Sequence, residues 1–325
     1  MLYPFVMQPY YKDYIWGGRN LEKYKKDLPE GKIAESWEVS VRPEGESSIV
    51  NGRWSGKKLK EVIGMFPEHM LGKAVKTGTD NMFPLLFKLI DANEPLSVQV
   101  HPGDSYAQSN EHEPFGKHEA WYILEAAQGA SIVYGLSPGT DKERLAELIA
   151  RNRIEDGLNT VFVRPGDVID IPPGTVHALG KGIVAAEIQQ NSNLTYRIYD
   201  YGRKDPSGKP RELHIEKALD VIDYSPSAPL ISGTILCETD GSTITRMLRN
   251  MYFELDLLDI HGSLEMKAKD RFCLLFAVCS DACISYDCGE LIVSPGETVF
   301  IPACLGEYAI AGNCRMLNMY VPADA

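Results

Sequence analysis

The sequence has no cysteine before residue 237, and its seven cysteines lie between Cys237 and Cys314. A disulfide framework normally needs an even number of cysteines in a small secreted domain, and a cysteine zinc site normally needs paired C-x-x-C motifs, which this sequence lacks. The cysteines therefore predict reduced, half-buried core thiols and exclude both a disulfide scaffold and a cysteine-bound zinc.

Long apolar runs and an excess of basic residues are also missing. The formal net charge is -12, which disfavours binding to nucleic-acid phosphates or to an anionic membrane surface. No run is long enough to span a membrane, and the first residues, MLYPFVMQPYYKDYIWGG, lack the basic and apolar regions of a secretory signal. We expect a cytoplasmic protein, monomeric or weakly dimeric, that binds neither nucleic acid nor a membrane.

Short β-type runs broken by proline and glycine dominate residues 80–135 and 160–200, for example PLSVQVHP and GIVAAEIQQ. Such runs predict a mainly β barrel or sandwich. Helical insertions are expected at about 55–66, 140–157 (capped by Thr140 or Asp141) and 213–223. The Pro/Ser linker 224–230 predicts a boundary between a catalytic domain, 1–225, and a C-terminal β domain, 226–325.

One segment is repeated. Residues 163–172 and 293–302 both read V-x-P-G-acid, then three residues, then I-P. Two copies of a strand–turn–strand unit predict two similar jelly-roll barrels in tandem. The first copy continues to His177, whereas the second has Glu307 at the aligned position. The sequence therefore predicts a metal in the first barrel and none in the second.

Candidate metal ligands cluster in three segments. Gln99 and His101 are two residues apart in LSVQVHP, so strand alternation places both side chains on one face. Lys117 and Glu119 have the same spacing, and His177 follows the first copy of the repeat. Two imidazoles, a carboxylate and an amide oxygen suit a catalytic zinc that keeps an open position for water or substrate.

The remaining histidines are weaker candidates for metal ligands. Alternation points His118 away from Lys117 and Glu119, which predicts a packing or rim position. We expect structural or surface roles for the others, and packing rather than sugar stacking for two tryptophans near the N-terminus. These residues are His69, His112, His214, His261, Trp16 and Trp37.

The segment from Gly166 to His177 resembles the second cupin motif without a gap. The first motif departs from the general cupin pattern, with Gln-x-His and a glutamate 18 residues beyond His101. These departures resemble the type I mannose-6-phosphate isomerases in their short bacterial form, and the resemblance covers nearly the whole chain. Its other markers are Trp16-Gly17-Gly18, 34–38 (AESWE), Phe87-Lys88, 96–102 (LSVQVHP), 116–119 (GKHE) and 187–197 (EIQQNSNLTYR).

This resemblance implies the interconversion of mannose 6-phosphate and fructose 6-phosphate through a zinc-stabilised cis-enediolate, with one Zn²⁺ per chain. The implied zinc ligands are Gln99, His101, Glu119 and His177. The other implied active-site residues are Arg197, Lys117 and Glu187 for catalysis, and Lys88 and Ser97 for contacts to phosphate or hydroxyls.

Several roles stay open. The general base is Glu187 or zinc-bound water, and Lys117 could donate a proton during ring opening. Arg197 could stabilise the enediolate or clamp the phosphate, although strand alternation without the resemblance favours a Glu187–Arg197 salt bridge.

Two other function classes fit the same ligand set. Two histidines and a glutamate also suit a non-heme iron dioxygenase, but the lysines and the arginine favour a phosphorylated polar substrate. A non-catalytic sugar-binding cupin is the third class, and the intact ligand set argues against it. Metal content and oxygen consumption would separate these classes.

Overall fold

Strands make up most of the regular structure in this computed structural model, which describes residues 2–73, 75, 82–204, 207–268 and 270–322. The predicted mainly β fold is therefore confirmed, although residues 80 and 81 of the predicted β region lie outside the described residues. None of the helices in those ranges has the length and apolar character needed to cross a membrane.

The described strands run in chain order as follows: β1 (Phe5–Gln8), β2 (Tyr10–Lys12), β3 (Glu35–Val39), β4 (Val41–Arg42), β5 (Gly45–Glu46), β6 (Ser48–Ile49), β7 (Leu85–Ala92), β8 (Val98–Val100), β9 (Glu119–Ala126), β10 (Ser131–Leu136), β11 (Leu158–Phe162), β12 (Val168–Ile171), β13 (His177–Leu179), β14 (Ile183–Gln190), β15 (Tyr196–Tyr199), β16 (Thr234–Thr239), β17 (Ser242–Arg249), β18 (Glu254–Lys267), β19 (Cys273–Cys279), β20 (Ala282–Tyr286), β21 (Gly289–Val293), β22 (Thr298–Ile301) and β23 (Glu307–Tyr320).

All three predicted helices are present, with shorter bounds. The described α-helices are α1 (Leu59–Met65), α2 (Pro67–Leu71), α3 (Asp104–Tyr106), α4 (Lys142–Ala150) and α5 (Ile215–Val221). Asp141, rather than Thr140, caps α4, because its side chain accepts a hydrogen bond from the backbone N–H of Arg144 at 2.8 Å. The helix predicted from residue 55 begins later because Ser55 ends a 3₁₀ turn, Gly52–Trp54.

Two antiparallel sheets form what we call the first β unit. One has the strand order β12-β9-β14-β7-β3-β2, and the other has the order β11-β10-β13-β8-β15. They pack face to face through a buried apolar cluster, in which Trp121 and Ile123 of one sheet meet Ile132 and Leu179 of the other. Alternating apolar residues thus close the sandwich that carries all the candidate ligands.

A ten-stranded sheet, which we call the second β unit, contains most of the strands after residue 233, together with β1 and β6. Strand β1 pairs with β22, placing Phe5 opposite Phe300. The apolar cluster around Phe300 also includes Phe87 and Tyr122, which lie on the six-stranded sheet of the first unit. The two units therefore share a core, and the tandem barrels and the boundary at 224–230 stay predictions.

Both copies of the sequence repeat build the same turn. The repeat glycines, Gly166 and Gly296, have φ values of 93° and 84°, which a residue with a Cβ rarely adopts. The acid that follows accepts a hydrogen bond from the backbone N–H three residues earlier, at 2.8 Å for Asp167 and 2.7 Å for Glu297. Strands β12 and β22 then begin at matching positions of the repeat.

No two of the seven cysteines, all of which lie in the described residues, form a disulfide, and four of the seven are exposed rather than half-buried in the core as the sequence predicts. They lie on the edge strand β16, at the end of β19, in the turn between β20 and β21, and in a short 3₁₀ turn, where side chains point to solvent. These four are Cys237, Cys279, Cys288 and Cys304.

Candidate active site

Three buried side chains from separate segments meet inside the first unit. His177 is the first residue of β13, Glu119 is the first residue of β9, and His101 directly follows β8. Their potential ligand atoms all lie within 4.8 Å of one another. The fold therefore brings together the two histidines and the glutamate that the sequence predicted as metal ligands.

Hydrogen bonds orient these groups as metal ligands require. The Nδ1–H group of His177 donates to the carbonyl of Thr175 at 2.9 Å, which leaves the Nε2 lone pair facing Glu119 Oε1 at 3.1 Å. His101 Nδ1 and Glu119 Oε1 are buried and have no hydrogen-bond partner among the described residues. Buried polar atoms without partners are rare, and this donor set fits a divalent cation.

The electrostatics of the cluster also suit a metal. Burial, reinforced by Lys117, lowers the pKa of His101 to about 3, so the imidazole is neutral at ordinary pH. Burial alone would raise the pKa of Glu119, but the neighbouring Lys117 and the two histidines outweigh it and hold that pKa well below its usual range. Neutral imidazole and ionised carboxylate are the forms that bind divalent metals.

Lys117 and Gln99 border this cluster. The Nζ atom of Lys117 lies 3.0 Å from His101 Nε2 and forms an ion pair with Glu119. Gln99 pairs with His177 across β8 and β13, and its amide nitrogen lies 3.4 Å from His177 Nε2. The structure thus places both predicted residues at the edge of the ligand cluster.

A cavity of about 280 Å³ opens beside the cluster. Its lining includes the five substrate and catalytic residues that the sequence predicted, together with the candidate ligand Gln99; the five are Lys88, Ser97, Lys117, Glu187 and Arg197. Strands β7, β8, β14 and β15 supply four of these six side chains, and Ser97 and Lys117 lie just before β8 and β9, so both sheets of the first unit contribute.

Arg197 is the cation in this cavity with the fewest compensating charges. Its Nε donates to Ser97 Oγ at 3.2 Å, and its Nη1 donates to the carbonyl of Glu212 at 2.9 Å. No carboxylate forms an ion pair with it among the described residues. Burial and the neighbouring Arg211 lower its pKa. Its guanidinium is therefore available to an anionic group of a ligand.

Glu187 lies on the other side of the cavity and does not pair with Arg197, which excludes the salt bridge considered from alternation. Its Oε2 accepts a hydrogen bond from Trp121 Nε1 at 2.9 Å, and its Oε1 lies 3.2 Å from Lys88 Nζ. Burial alone would lower the pKa of Lys88, but Glu35 and Glu187 outweigh it and raise that pKa. Lys88 is therefore a charged lysine whose positive charge is already compensated by Glu35 and Glu187.

Sequence reasoning missed several lining residues. Glu35 lines the cavity and lies in the AESWE marker, but the sequence analysis predicts no role for the glutamates of that marker. Arg211 lies between strands and is held by Asp200, which Arg203 also contacts. Nothing in its local pattern places it near Arg197. Tyr14, Asn193 and Thr195 complete this group.

The other aromatic and histidine predictions fit the structure. Trp16 and Trp37 are buried in packing positions, although Trp16 also borders the cavity. His118 points away from the ligands, and its Nε2 lies 2.7 Å from Asp170 Oδ1. The four remaining histidines lie outside the ligand cluster, and His214 accepts a hydrogen bond from the backbone N–H of Arg197 at 3.1 Å.

The second unit supports the segment that precedes Lys117. The hydroxyl of Tyr252 donates to Asp104 Oδ2 at 2.9 Å, and Asp104 Oδ1 accepts from the backbone N–H of Gly116 at 2.7 Å. Gln190 Nε2 donates to the same Asp104 oxygen at 2.9 Å. A tyrosine from one unit thus fixes the backbone next to a candidate catalytic lysine of the other.

Strand pairing shows what replaces the ligands in the second unit. Ile171 lies opposite Glu119 in the first unit, and the matching Ile301 lies opposite Cys273 in the second. Glu307 begins β23 as His177 begins β13, and it pairs with Lys267 as His177 pairs with Gln99. The counterpart of His101 would be residue 269, which lies outside the described residues.

A mainly β fold with two copies of a cupin-type turn, and a buried His/Glu/His site in the first, defines a metal-binding cupin. The family model "Phosphomannose isomerase type I, catalytic domain" matches residues 5–126, and "Mannose-6-phosphate isomerase, cupin domain" matches residues 243–321. The mannose-6-phosphate isomerase ManA of Bacillus subtilis is 36% identical, with 97% of this chain and 98% of the relative covered. The mannose-6-phosphate isomerase of Streptococcus mutans is 33% identical over 98% of each chain.

A solved structure gives the same result. The crystal structure of the mannose 6-phosphate isomerase from Bacillus subtilis superimposes with a TM-score of 0.92 at 33% identity and covers 98% of this chain and 100% of that one. This chain belongs to the type I phosphomannose isomerase family. The predicted resemblance and the predicted isomerase class are confirmed, and the dioxygenase and non-catalytic alternatives are not favoured.

Proposed function

We propose that this chain interconverts mannose 6-phosphate and fructose 6-phosphate in the cavity beside His101, Glu119 and His177, with one Zn²⁺ per chain. The observation that carries this proposal is the buried His/Glu/His cluster directly beside a cavity lined by Arg197 and other cations. A phosphorylated sugar needs positive charge at its phosphate, and an aldose–ketose isomerase needs a means of stabilising negative charge on two neighbouring oxygens.

The metal would be held by His101, Glu119 and His177, with the side chain of Gln99 as a fourth candidate ligand. When bound, zinc supplies Lewis-acid stabilisation to O1 and O2 of the cis-enediolate. The hydrogen bond from His177 to Thr175 fixes one ligand's tautomer before the metal arrives. Lys117 would then be free to turn from Glu119 toward the sugar, because the negative charge of that carboxylate would be compensated by the bound cation instead of by the lysine.

The remaining residues would bind and orient the sugar. Arg197, oriented by Ser97, offers a planar pair of donors to the phosphate or to the developing enediolate. Ser97, beside Arg197, and Lys88, beside Glu187 on the other side of the cavity, contribute hydroxyl and phosphate contacts. Tight positioning of both ends of the substrate fixes C1 and C2 relative to the base.

Proton transfer between the two carbons is assigned to Glu187. Its carboxylate would take the proton from C2 of open-chain mannose 6-phosphate and return it to C1, and the hydroxyl proton would pass from O2 to O1, which gives fructose 6-phosphate with no net change in protons. Trp121 holds one carboxylate oxygen, while Oε1 lies 3.2 Å from Lys88 Nζ and is the oxygen left to take the proton. Lys117 is assigned to proton donation at the ring oxygen when the sugar opens.

We also propose that the two β units are tandem cupin barrels, divided at the linker 224–230 into a catalytic and a metal-free domain. The shared repeat and the lost ligands of the second unit support this division. A net charge of -12 and cysteines that form no disulfide in the described residues support a cytoplasmic protein, monomeric or weakly dimeric, that does not bind nucleic acid.

A coupled assay that follows fructose 6-phosphate formed from mannose 6-phosphate tests the proposal. Turnover should disappear after chelation and return when Zn²⁺ is added to the dialysed protein. Absence of turnover in fully zinc-loaded protein would contradict the isomerase. Stoichiometric iron with oxygen consumption would instead support the dioxygenase.

A further inference from the structure

The second unit contains a cavity of about 620 Å³ at the position that matches the catalytic cavity of the first. In the first unit, Glu187 lies opposite the residue two positions after Glu119. In the second unit, Asn318 lies opposite the residue two positions after Cys273, so strand register places the two cavities at matching positions. Cys273 and Asn318 both line this cavity. The second unit has thus lost the metal ligands and kept a larger hollow at the same place in the fold.

Part of the polar lining is already satisfied within the protein. Arg246 forms ion pairs with Asp256 and, at 2.6 Å, with Glu254. The hydroxyl of Tyr320 donates to Asp256 at 2.5 Å and accepts from Arg246 at 2.9 Å. These four residues form a network that fixes one wall, and Arg249 also pairs with Glu254, so two arginines balance the two carboxylates.

Two other groups in the cavity lack such partners. The Oδ1 atom of Asn318 is buried and has no hydrogen-bond partner among the described residues. The guanidinium of Arg271 lies 4.2 Å from the centre of the Tyr320 ring, and its Nη1 donates to the carbonyl of Val321 at 3.3 Å. No carboxylate forms an ion pair with Arg271 in the described part of the chain. An acceptor and a cation therefore face the same hollow.

The rest of the lining limits what this cavity can bind. Histidine is absent from the described lining, and burial raises the pKa of the Cys273 thiol to about 11, so the cavity lacks the imidazole and thiolate ligands that zinc prefers. Of its carboxylates, Asp256 pairs with Arg246 and Glu307 pairs with Lys267, while Glu265 lies on an exposed position of the rim. Leu236, Ile244 and Met266 provide apolar contact for a carbon skeleton. An anionic group would match Arg271, and a hydroxyl would donate to Asn318.

We propose that this cavity is a second, non-catalytic binding site for a hydroxylated organic anion of the size of a sugar phosphate. The anionic group binds Arg271, and a sugar hydroxyl donates to Asn318 Oδ1. This inference is independent of the proposed reaction, because it requires neither the metal nor turnover.

Equilibrium dialysis of the zinc-loaded chain against labelled mannose 6-phosphate at millimolar concentration tests the site, since dialysis counts bound sugar phosphate whether or not it is isomerised. We expect two bound molecules per chain. Arg271→Gln should bind one and keep the kcat and KM of the parent chain. Arg315→Gln removes an arginine of the same unit that pairs with Asp259 outside the cavity, and should still bind two.

A second variant tests the hydroxyl contact. Asn318→Leu should weaken mannose 6-phosphate at this site by about tenfold, since it removes the acceptor, while inorganic phosphate at the same site is unaffected. One bound molecule per chain in the parent protein that Arg271→Gln still binds would overturn the proposal, whereas one that Arg271→Gln loses would support this site and contradict binding at the catalytic one. Two bound molecules in Arg271→Gln, or equal loss of phosphate and sugar phosphate in Asn318→Leu, would overturn it as well.

Discussion

The first and second β units share a backbone plan and differ in the side chains placed on it. Both have the same glycine turn and the same start of the following strand, yet His177 and Glu119 of one correspond to Glu307 and Cys273 of the other. The comparison shows that the turn and the strand register are requirements of the scaffold. The metal chemistry depends on a few side chains that the scaffold tolerates but does not require.

The sharpest test of this comparison is to substitute the equivalent residue in each unit. His177→Ala should lower kcat by at least about a thousandfold and abolish stoichiometric metal, because the reaction loses its stabilisation of oxygen charge. Glu307→Ala, at the equivalent position, should change neither. The measurements are coupled turnover and metal analysis of the purified proteins. Full metal content in His177→Ala would show that the ligand assignment is wrong.

The shared core offers a second test. Phe300 belongs to the second unit but packs with Phe272 and Phe83, and Phe300→Ala should cost about 3–5 kcal/mol of unfolding free energy. All four tryptophans lie at or before Trp121, so their fluorescence reports mainly on the first unit. We expect fluorescence and circular dichroism to shift together in denaturant. A shift in circular dichroism alone would mean that the units unfold separately.

Substitution of an arginine in each unit distinguishes catalysis from binding. Arg197→Ala should lower kcat by about a hundredfold, as expected for loss of one charged contact to the reacting substrate, and should leave the metal in place. Activity assays with metal analysis check this prediction. Loss of metal in Arg197→Ala would make Arg197 a structural residue of the site. The comparison with Arg271→Gln then separates a catalytic arginine from one that serves the second cavity.

The smallest expected effect concerns the contact between the units. Tyr252→Phe removes the hydrogen bond to Asp104, which should cost about 1 kcal/mol of stability and lower kcat severalfold with little change in KM. Metal content should not change, because no ligand moves. Tyr286→Phe, elsewhere in the second unit, is the control. If kcat of Tyr252→Phe equals that of the parent chain, the second unit does not position the Lys117 segment.

Much of the site could be predicted because its residues lie in locally readable patterns. Two-residue spacing on a strand places Gln99 with His101 and Lys117 with Glu119, and the repeat places His177 at the start of a strand. The helix cap at Asp141 follows from local chemistry in the same way. These features depend on contacts within a few residues.

Features that depend on distant contacts could not be predicted. Arg211 reaches the cavity because an ion pair with Asp200 holds it there, and no periodic pattern in the sequence indicates that ion pair. The pairing of β1 with β22 joins residues at opposite ends of the chain. Glu187 and Arg197 look like salt-bridge partners from alternation alone, but β14 and β15 belong to different sheets.

The pairing of Phe5 with Phe300 also has a consequence for synthesis of the protein. At roughly 5–20 residues per second, a ribosome needs on the order of 15–60 seconds to make the chain between these two strands. During that time β1 has emerged while its partner β22 does not yet exist, so its unpaired edge and apolar face stay exposed. Strand β6 is made early and can pair with the other edge of β1, but the edge that pairs with β22 stays open until synthesis is almost complete.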